Sequence, residues 1–149
     1  MTPERERPTK THLLTMNPVL RNVLAVLVGA VACFMLNGLL LSVMLQIVPP
    51  PEGFDANDVA TYSLLQGKHL LSPFVAHAVP SLFGGLLAAL LAATRKMTLA
   101  LAVGGLHLMG GIAAAFMIPA PVWFVVLDLT LAYLPMAWLG GRLAGLANR

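Results

Sequence analysis

The chain has 149 residues, of which 58% are hydrophobic and only 10% charged, with a mean hydropathy of +0.84. Soluble domains carry about 25% charged residues, so a chain this poor in charge cannot cover a water-facing shell at the usual density; the composition excludes an ordinary soluble globule, a disordered protein and a nucleic-acid binder. The formal charge of +3 does not alter this, because the basic residues are dispersed. A single cysteine, Cys33, excludes an intramolecular disulfide and a Cys-based zinc site.

Residues 1–18 are polar, mixed in charge and interrupted by Pro3, Pro8 and Pro18, and read as a flexible cytoplasmic tail. A four-helix transmembrane domain follows over residues 19–146. Its first span covers about residues 20–48, where Val23 to Val48 is a run of 26 residues without a charge. At 1.5 Å per residue that run is roughly 39 Å long, more than the ~30 Å hydrocarbon core, so it must tilt or protrude. Ala30-Val31-Ala32-Cys33 has the look of a lipoprotein cleavage box, but the chain stays apolar for four turns beyond Cys33, which suits a retained span.

Residues 49–68 form an outer loop, begun by three prolines that stop the first helix. The spacing predicts a short surface helix over about 58–66, capped by Asp55 or Asn57 and ended by Gly67. The acidic trio Glu52, Asp55 and Asp58 lacks the spacing of a calcium loop and reads as a solvated surface. Three further apolar segments follow, over about residues 70–94, 97–118 and 121–141. The links between them, Arg95-Lys96 and Pro119-Ala120-Pro121, are short enough to force antiparallel neighbours. The expected fold is an all-α membrane protein, a bundle of four antiparallel transmembrane helices.

Placing the N-terminus in the cytoplasm puts Arg5, Arg7, Lys10, Arg21, Arg95, Lys96, Arg142 and Arg149 on the inner side and leaves only Lys68 outside. The positive-inside rule therefore expects both termini in the cytoplasm. Trp123 then anchors the outer interface, and Trp138 with Arg142 the inner one.

The chain also carries a weak internal similarity. Pro80 to Leu90 aligns with Pro135 to Leu146 if one residue is inserted, matching Gly84-Gly85 to Gly140-Gly141, while Leu24 to Gly29 is similar to Leu99 to Gly104. A duplicated two-helix hairpin accounts for this, with both copies in one orientation. Chance alignment of helices rich in Gly, Ala and Leu is the competing account.

Four strings, PPPEG, FVAHAVPSLFGG, RKM and PAPVWFVVLDLTLAYLPMAWLGG, together resemble an uncharacterised family of small four-helix bacterial membrane proteins, over roughly residues 20–145. The resemblance implies a multi-pass protein of the bacterial inner membrane. It implies no activity, and no residue role carries over.

Polar residues inside the spans are the candidates for function, since they are costly in lipid and normally face the bundle interior. Asp128 is the only acidic one. By helical rise, Asp128 and His77 lie about 10 Å from the outer border, and His107 and Asn37 about 16 Å from it. Each helix thus contributes one polar group to the outer half of the membrane. Stripes of small residues carry the same groups: Ala25, Gly29, Cys33 and Asn37 on the first helix, His77, Ser81, Gly85, Ala89 and Ala93 on the second, and Gly104, His107, Gly111 and Ala114 on the third. Close helix packing uses such residues. Pro80 and Pro135 are expected kinks that free the carbonyls of Ala76 and Leu131, for which Ser81, Thr130 and Tyr133 offer nearby hydroxyls. A functional account has the two prolines open a small cavity beside His77 and Asp128.

Several readings of these residues compete. Asp128 accepting hydrogen bonds from His77 or from backbone would lock the bundle, in a non-enzymatic structural or accessory component. An oligomeric proton- or cation-coupled carrier would instead use Asp128 as its titrating group, since an unpaired carboxylate in hydrocarbon readily takes up a proton. A third reading has His77 and His107 ligate a metal or haem, though their depths differ by about 6 Å and no HxxxH or CxxCH spacing supports it. No GxSxG, HExxH or paired aspartates point to an enzyme, and no cofactor is implied. The expected partners are the lipid bilayer and either further copies of the chain or another membrane protein. His12 and His69 fall outside the spans, and Cys33 reads as a small packing residue. Reporter fusions placed after Gly67 and at the C-terminus should report opposite sides of the membrane; finding both on one side would contradict the four-span layout.

Overall fold

The computed structural model describes residues 16–147. Residues 1–15 of the expected tail therefore lie outside the described residues, together with 148 and 149. The last residues assigned to that tail belong instead to the first helix. Asn17 is its N-cap, with the side-chain oxygen accepting from the Val19 N–H at 2.8 Å, and Pro18 takes the first helical position, where its missing N–H leaves nothing unpaired.

Helix α1 spans Pro18–Ile47. The loop after it differs from the helix expected over 58–66. Its ordered piece is a 3₁₀ turn at Val59–Leu64, capped by Asp58, whose carboxylate accepts from the Ala60 N–H at 3.0 Å. Asp55 is occupied one turn earlier, accepting from the backbone and side-chain nitrogens of Asn57. Gly67 begins a structure where it was expected to end one: a second 3₁₀ turn, Gly67–Leu70, leads directly into the next helix. That turn is closed reciprocally, with the Gln66 N–H donating to His69 Nδ1 and the His69 N–H donating to the Gln66 carbonyl, both at 2.9 Å.

Helix α2 spans Leu71–Leu91 and α3 spans Lys96–Met117. The fourth apolar segment is two helices, α4 at Val122–Leu131 and α5 at Leu134–Ala147. The kink expected at Pro135 is a full break, at Ala132-Tyr133 in the turn that precedes it. Proline cannot donate to the carbonyl of Leu131, so the ladder weakens there. Pro80 also lacks its donor, yet it lies inside an unbroken α2. The difference is packing: Pro80 is buried among neighbouring helices, whereas Pro135 is exposed. The described chain is thus all-helical, with four segments long and apolar enough to cross a membrane.

Helix α2 occupies the centre of the bundle. Its buried positions, Ser72, Ala76, Ala78, Pro80, Ser81, Gly84, Gly85, Ala88 and Ala89, run round the helix and do not form one stripe. Three neighbours reach its backbone. A methyl group built on Gly84 would sit 2.7 Å from Cys33 Cβ and 2.8 Å from the Gly29 carbonyl of α1, and one on Gly85 would sit 2.7 Å from the Ala137 carbonyl of α5. On the outside, Leu27, Val31, Phe34 and Met35 of α1 are exposed, as expected of a surface facing acyl chains. Trp123 and Trp138 are exposed too, and the Arg142 guanidinium lies 5.4 Å from the centre of the Trp138 ring.

The two proposed hairpin copies share small-residue faces but not packing register. Gly29 meets Gly84 and Ala88, whereas its counterpart Gly104 meets Tyr133 and Ala137, seven residues before the counterparts Gly140 and Ala144.

Helix α2 ends at Leu91, short of the expected residue 94, because α1 supplies its C-terminal cap. Asn22 Oδ1 accepts from the N–H groups of Ala93 and Thr94 at 2.9 and 3.2 Å, and Asn22 Nδ2 donates to Thr94 Oγ1 at 2.8 Å. Arg21 Nε donates to the Leu91 carbonyl at 2.7 Å. Arg95 then turns the chain in the left-handed region, with φ of 50°. Asn22→Ala should therefore lower stability by about 1–2 kcal/mol, read as a lower thermal midpoint of the purified protein in detergent, while Asn17→Ala, which caps α1 alone, should cost less.

Candidate functional site

The four polar residues singled out in the spans converge on a short stretch of α2, residues 76–81. Each neighbouring helix sends one group to it. From α1, Asn37 Nδ2 donates to the Ala76 carbonyl at 2.7 Å. From α3, His107 Nδ1 lies 2.9 Å from Ser81 Oγ. From α4, both oxygens of Asp128 meet His77 Nδ1, at 3.0 and 2.9 Å.

The first contact answers a local deficiency in α2. Because Pro80 has no N–H, the Ala76 carbonyl has no donor within its own helix, and in hydrocarbon no water replaces it. The carboxamide of Asn37 fills the gap. None of the hydroxyls expected to help does so. Ser81 donates to the His77 carbonyl at 2.7 Å, Thr130 to the carbonyls of Val126 and Leu127, and Tyr133 to Asp128.

The second contact joins three helices. The single Ser81 proton is committed to the His77 carbonyl, so His107 Nδ1 carries the proton in this contact and donates to Ser81 Oγ. Cys33 Sγ of α1 lies 3.3 Å from the same nitrogen. The thiol is therefore part of the polar arrangement as well as a packing residue. Phe34 covers His107 edge-on, with ring centres 5.4 Å apart.

The third contact is the most enclosed for a charged group. Asp128 is 5% exposed, and besides His77 it receives the Tyr133 hydroxyl on Oδ2 at 3.0 Å. Tyr133, fully buried at the α4–α5 break, stacks on His77 with centres 5.3 Å apart and meets His107 edge-on at 5.1 Å. Gly111 of α3 leaves the space for its phenol, since a methyl there would run into the hydroxyl. The break before Pro135 is thus what turns Tyr133 inward, and the local backbone has a role beyond a kink.

His77 and His107 have their ring centres 6.0 Å apart, but each Nδ1 already faces a different partner. Among the described residues, no three His, Cys, Asp or Glu side chains converge as a metal-ligand set.

A cavity of 280 Å³ lies at the loop end of the bundle, beside His77 and Asp128. That is the position the functional account expects, beside His77 and Asp128, but neither Pro80 nor Pro135 lines it. Its walls come from the loop and the helix ends, including Phe54, Tyr62, Leu65, His69, Ser72 and Phe124. His107 and Asn37 do not reach it. The polar groups are therefore divided: Asn37, Cys33, Ser81 and His107 are packed within the bundle, while the His77–Asp128 pair also faces an open volume. His69 and Ser72 are residues that sequence reasoning did not single out for the site. By sequence His69 falls outside the spans, and a serine at the start of a span carries no distinguishing signal.

No protein-family model, curated protein or solved structure matches this chain.

Tyr133→Phe keeps the ring that stacks on His77 and deletes the donor to Asp128. It should lower stability by about 1–2 kcal/mol, measured by thermal unfolding in detergent. Phe34→Leu, which removes an edge contact and no hydrogen bond, should cost less than Tyr133→Phe.

Proposed function

We propose that this chain is a non-enzymatic structural or accessory component of a bacterial inner membrane, with both termini in the cytoplasm and a bundle locked by intramembrane polar contacts. The observation that carries this reading is the state of Asp128. Its two oxygens are engaged by His77 and Tyr133, and it is nearly enclosed. A carboxylate so placed joins α2 to α4 and to the α4–α5 break, and removing one partner of such a pair leaves an uncompensated polar group in a low-dielectric setting. The orientation rests on the distribution of basic residues in the sequence. The lipid bilayer is the immediate partner, and the exposed apolar faces leave room for further copies or a second membrane protein.

A second reading is a small oligomeric carrier coupled to protons or cations through Asp128. It is favoured by the cavity, which reaches the same His77–Asp128 pair.

Asp128→Asn separates the two. In a locked bundle the variant should lose about 2–3 kcal/mol of stability, seen as a lower thermal midpoint, because the charge that holds His77 and Tyr133 is gone. A carrier should remain as stable as the native chain and lose pH-dependent uptake in proteoliposomes. If neither stability nor uptake changed, both readings would fall.

A further inference from the structure

We propose that the cavity at the loop end is a binding site for a small, uncharged, largely apolar molecule of about two rings that carries a hydroxyl group, such as a phenol or an alicyclic alcohol.

The size and walls of the site set the first part of this inference. The volume is 280 Å³, and an apolar cavity of ~150 Å³ is enough to hold benzene. The walls are mainly hydrocarbon and aromatic, from Leu41, Leu45, Phe54, Leu65 and Phe124 among others. A ligand site of this kind is apolar with a few placed polar groups that set orientation.

Three polar groups of the wall set the rest. Ser72, 1% exposed, is the only buried side-chain polar atom among the described residues without a hydrogen-bond partner. Leaving a hydroxyl unpaired inside a protein is costly, and such exceptions call for an explanation. His69 uses Nδ1 to accept from the Gln66 N–H, so its ring proton is on Nε2 when the ring is neutral. His77 uses Nδ1 against Asp128, which leaves Nε2 as its remaining nitrogen. The residues that line the cavity thus bring a hydroxyl without a partner, a ring N–H donor and, when His77 is neutral, a ring nitrogen that accepts. A hydroxyl group both donates and accepts, and so matches this set. A carboxylate or amine matches it less well: among the described residues no lysine or arginine lines the cavity to receive a carboxylate, and the Asp128 oxygens already accept from His77 and Tyr133. Neither the lock nor the carrier reading is needed for this assignment.

The test uses the full chain in lipid nanodiscs with 1-naphthol as probe, and protein-free nanodiscs to subtract partitioning. Naphthalene, which has the rings without the hydroxyl, and 1-naphthoate, which carries a charge, are the comparison probes. The expected result is saturable binding of one 1-naphthol per chain, with naphthalene and 1-naphthoate each at least about tenfold weaker. Ser72→Ala should weaken 1-naphthol about five- to tenfold, leave naphthalene unchanged and keep the thermal midpoint at or above that of the native chain, because it removes an unpaired hydroxyl. Ala115→Trp, which fills the cavity from α3, should abolish binding. Binding no greater than in empty nanodiscs, equal affinity for naphthalene, or unchanged 1-naphthol affinity in Ser72→Ala would overturn the proposal; the last comparison stands even if the tryptophan variant does not fold.

Discussion

Helix α2 can carry polar contacts on several sides only because its neighbours approach its backbone closely. The approach depends on side chains that are missing or minimal: Gly29 against Gly84, Gly85 against Ala137, Gly140 against the backbone of Leu82. In a bilayer there is no hydrophobic drive between helices, so association rests on packing and on hydrogen bonds between them. Small residues supply both at once. They bring the helix axes together, and at that distance a side chain as short as asparagine or serine can span the gap. A larger residue at Gly84 or Gly85 would meet backbone, which cannot move aside, and would separate the helices that hold Asn37, His107 and Asp128 against residues 76–81.

The polar contacts are ordered along that central helix. Asn37 and Ser81 settle backbone and side-chain requirements around Pro80, and His107 is held between Ser81 and Cys33. Nearer the loop, His77, Asp128 and Tyr133 form the last polar layer before the cavity. The bundle is therefore closed where small residues are dense and opens toward the loop, where larger apolar side chains, prolines and the 3₁₀ turns leave space between helix ends. The end near Arg95 is tied differently, by Arg21 and Asn22 of α1 capping α2. Those contacts tie the first helix to the second although twenty or more residues of loop separate them at the other end.

Much of the site was legible in sequence because a polar residue in an apolar run stands out. Asp128, His77, His107 and Asn37 could be named from hydropathy and helical rise alone, and the same arithmetic places them in one slab of the bundle, two at each of two depths about 6 Å apart. Their partners could not. Which acceptor Asn37 reaches depends on the rotation of α1 about α2, and the Ala76 carbonyl is one of several at that depth. Tyr133 looked like a donor for a kinked backbone, and became Asp128's partner only through the break before Pro135. His69 and Ser72 were overlooked because their residue types are ordinary at a span boundary, and what distinguishes them is enclosure by the loop.

The sequence by itself determined the number of membrane-spanning segments, the apolar outer faces, the small-residue packing faces and the identity of the costly polar groups. These are properties of composition and period, since a chain of given hydropathy has few ways to satisfy its backbone in lipid. Only the tertiary structure decided which polar group meets which, that the fourth segment is broken, that α1 caps α2, and that the cavity lies under the loop and away from the two mid-span prolines. Those outcomes turn on helix rotation and packing register, which shift contacts by a full side chain without changing the hydropathy pattern.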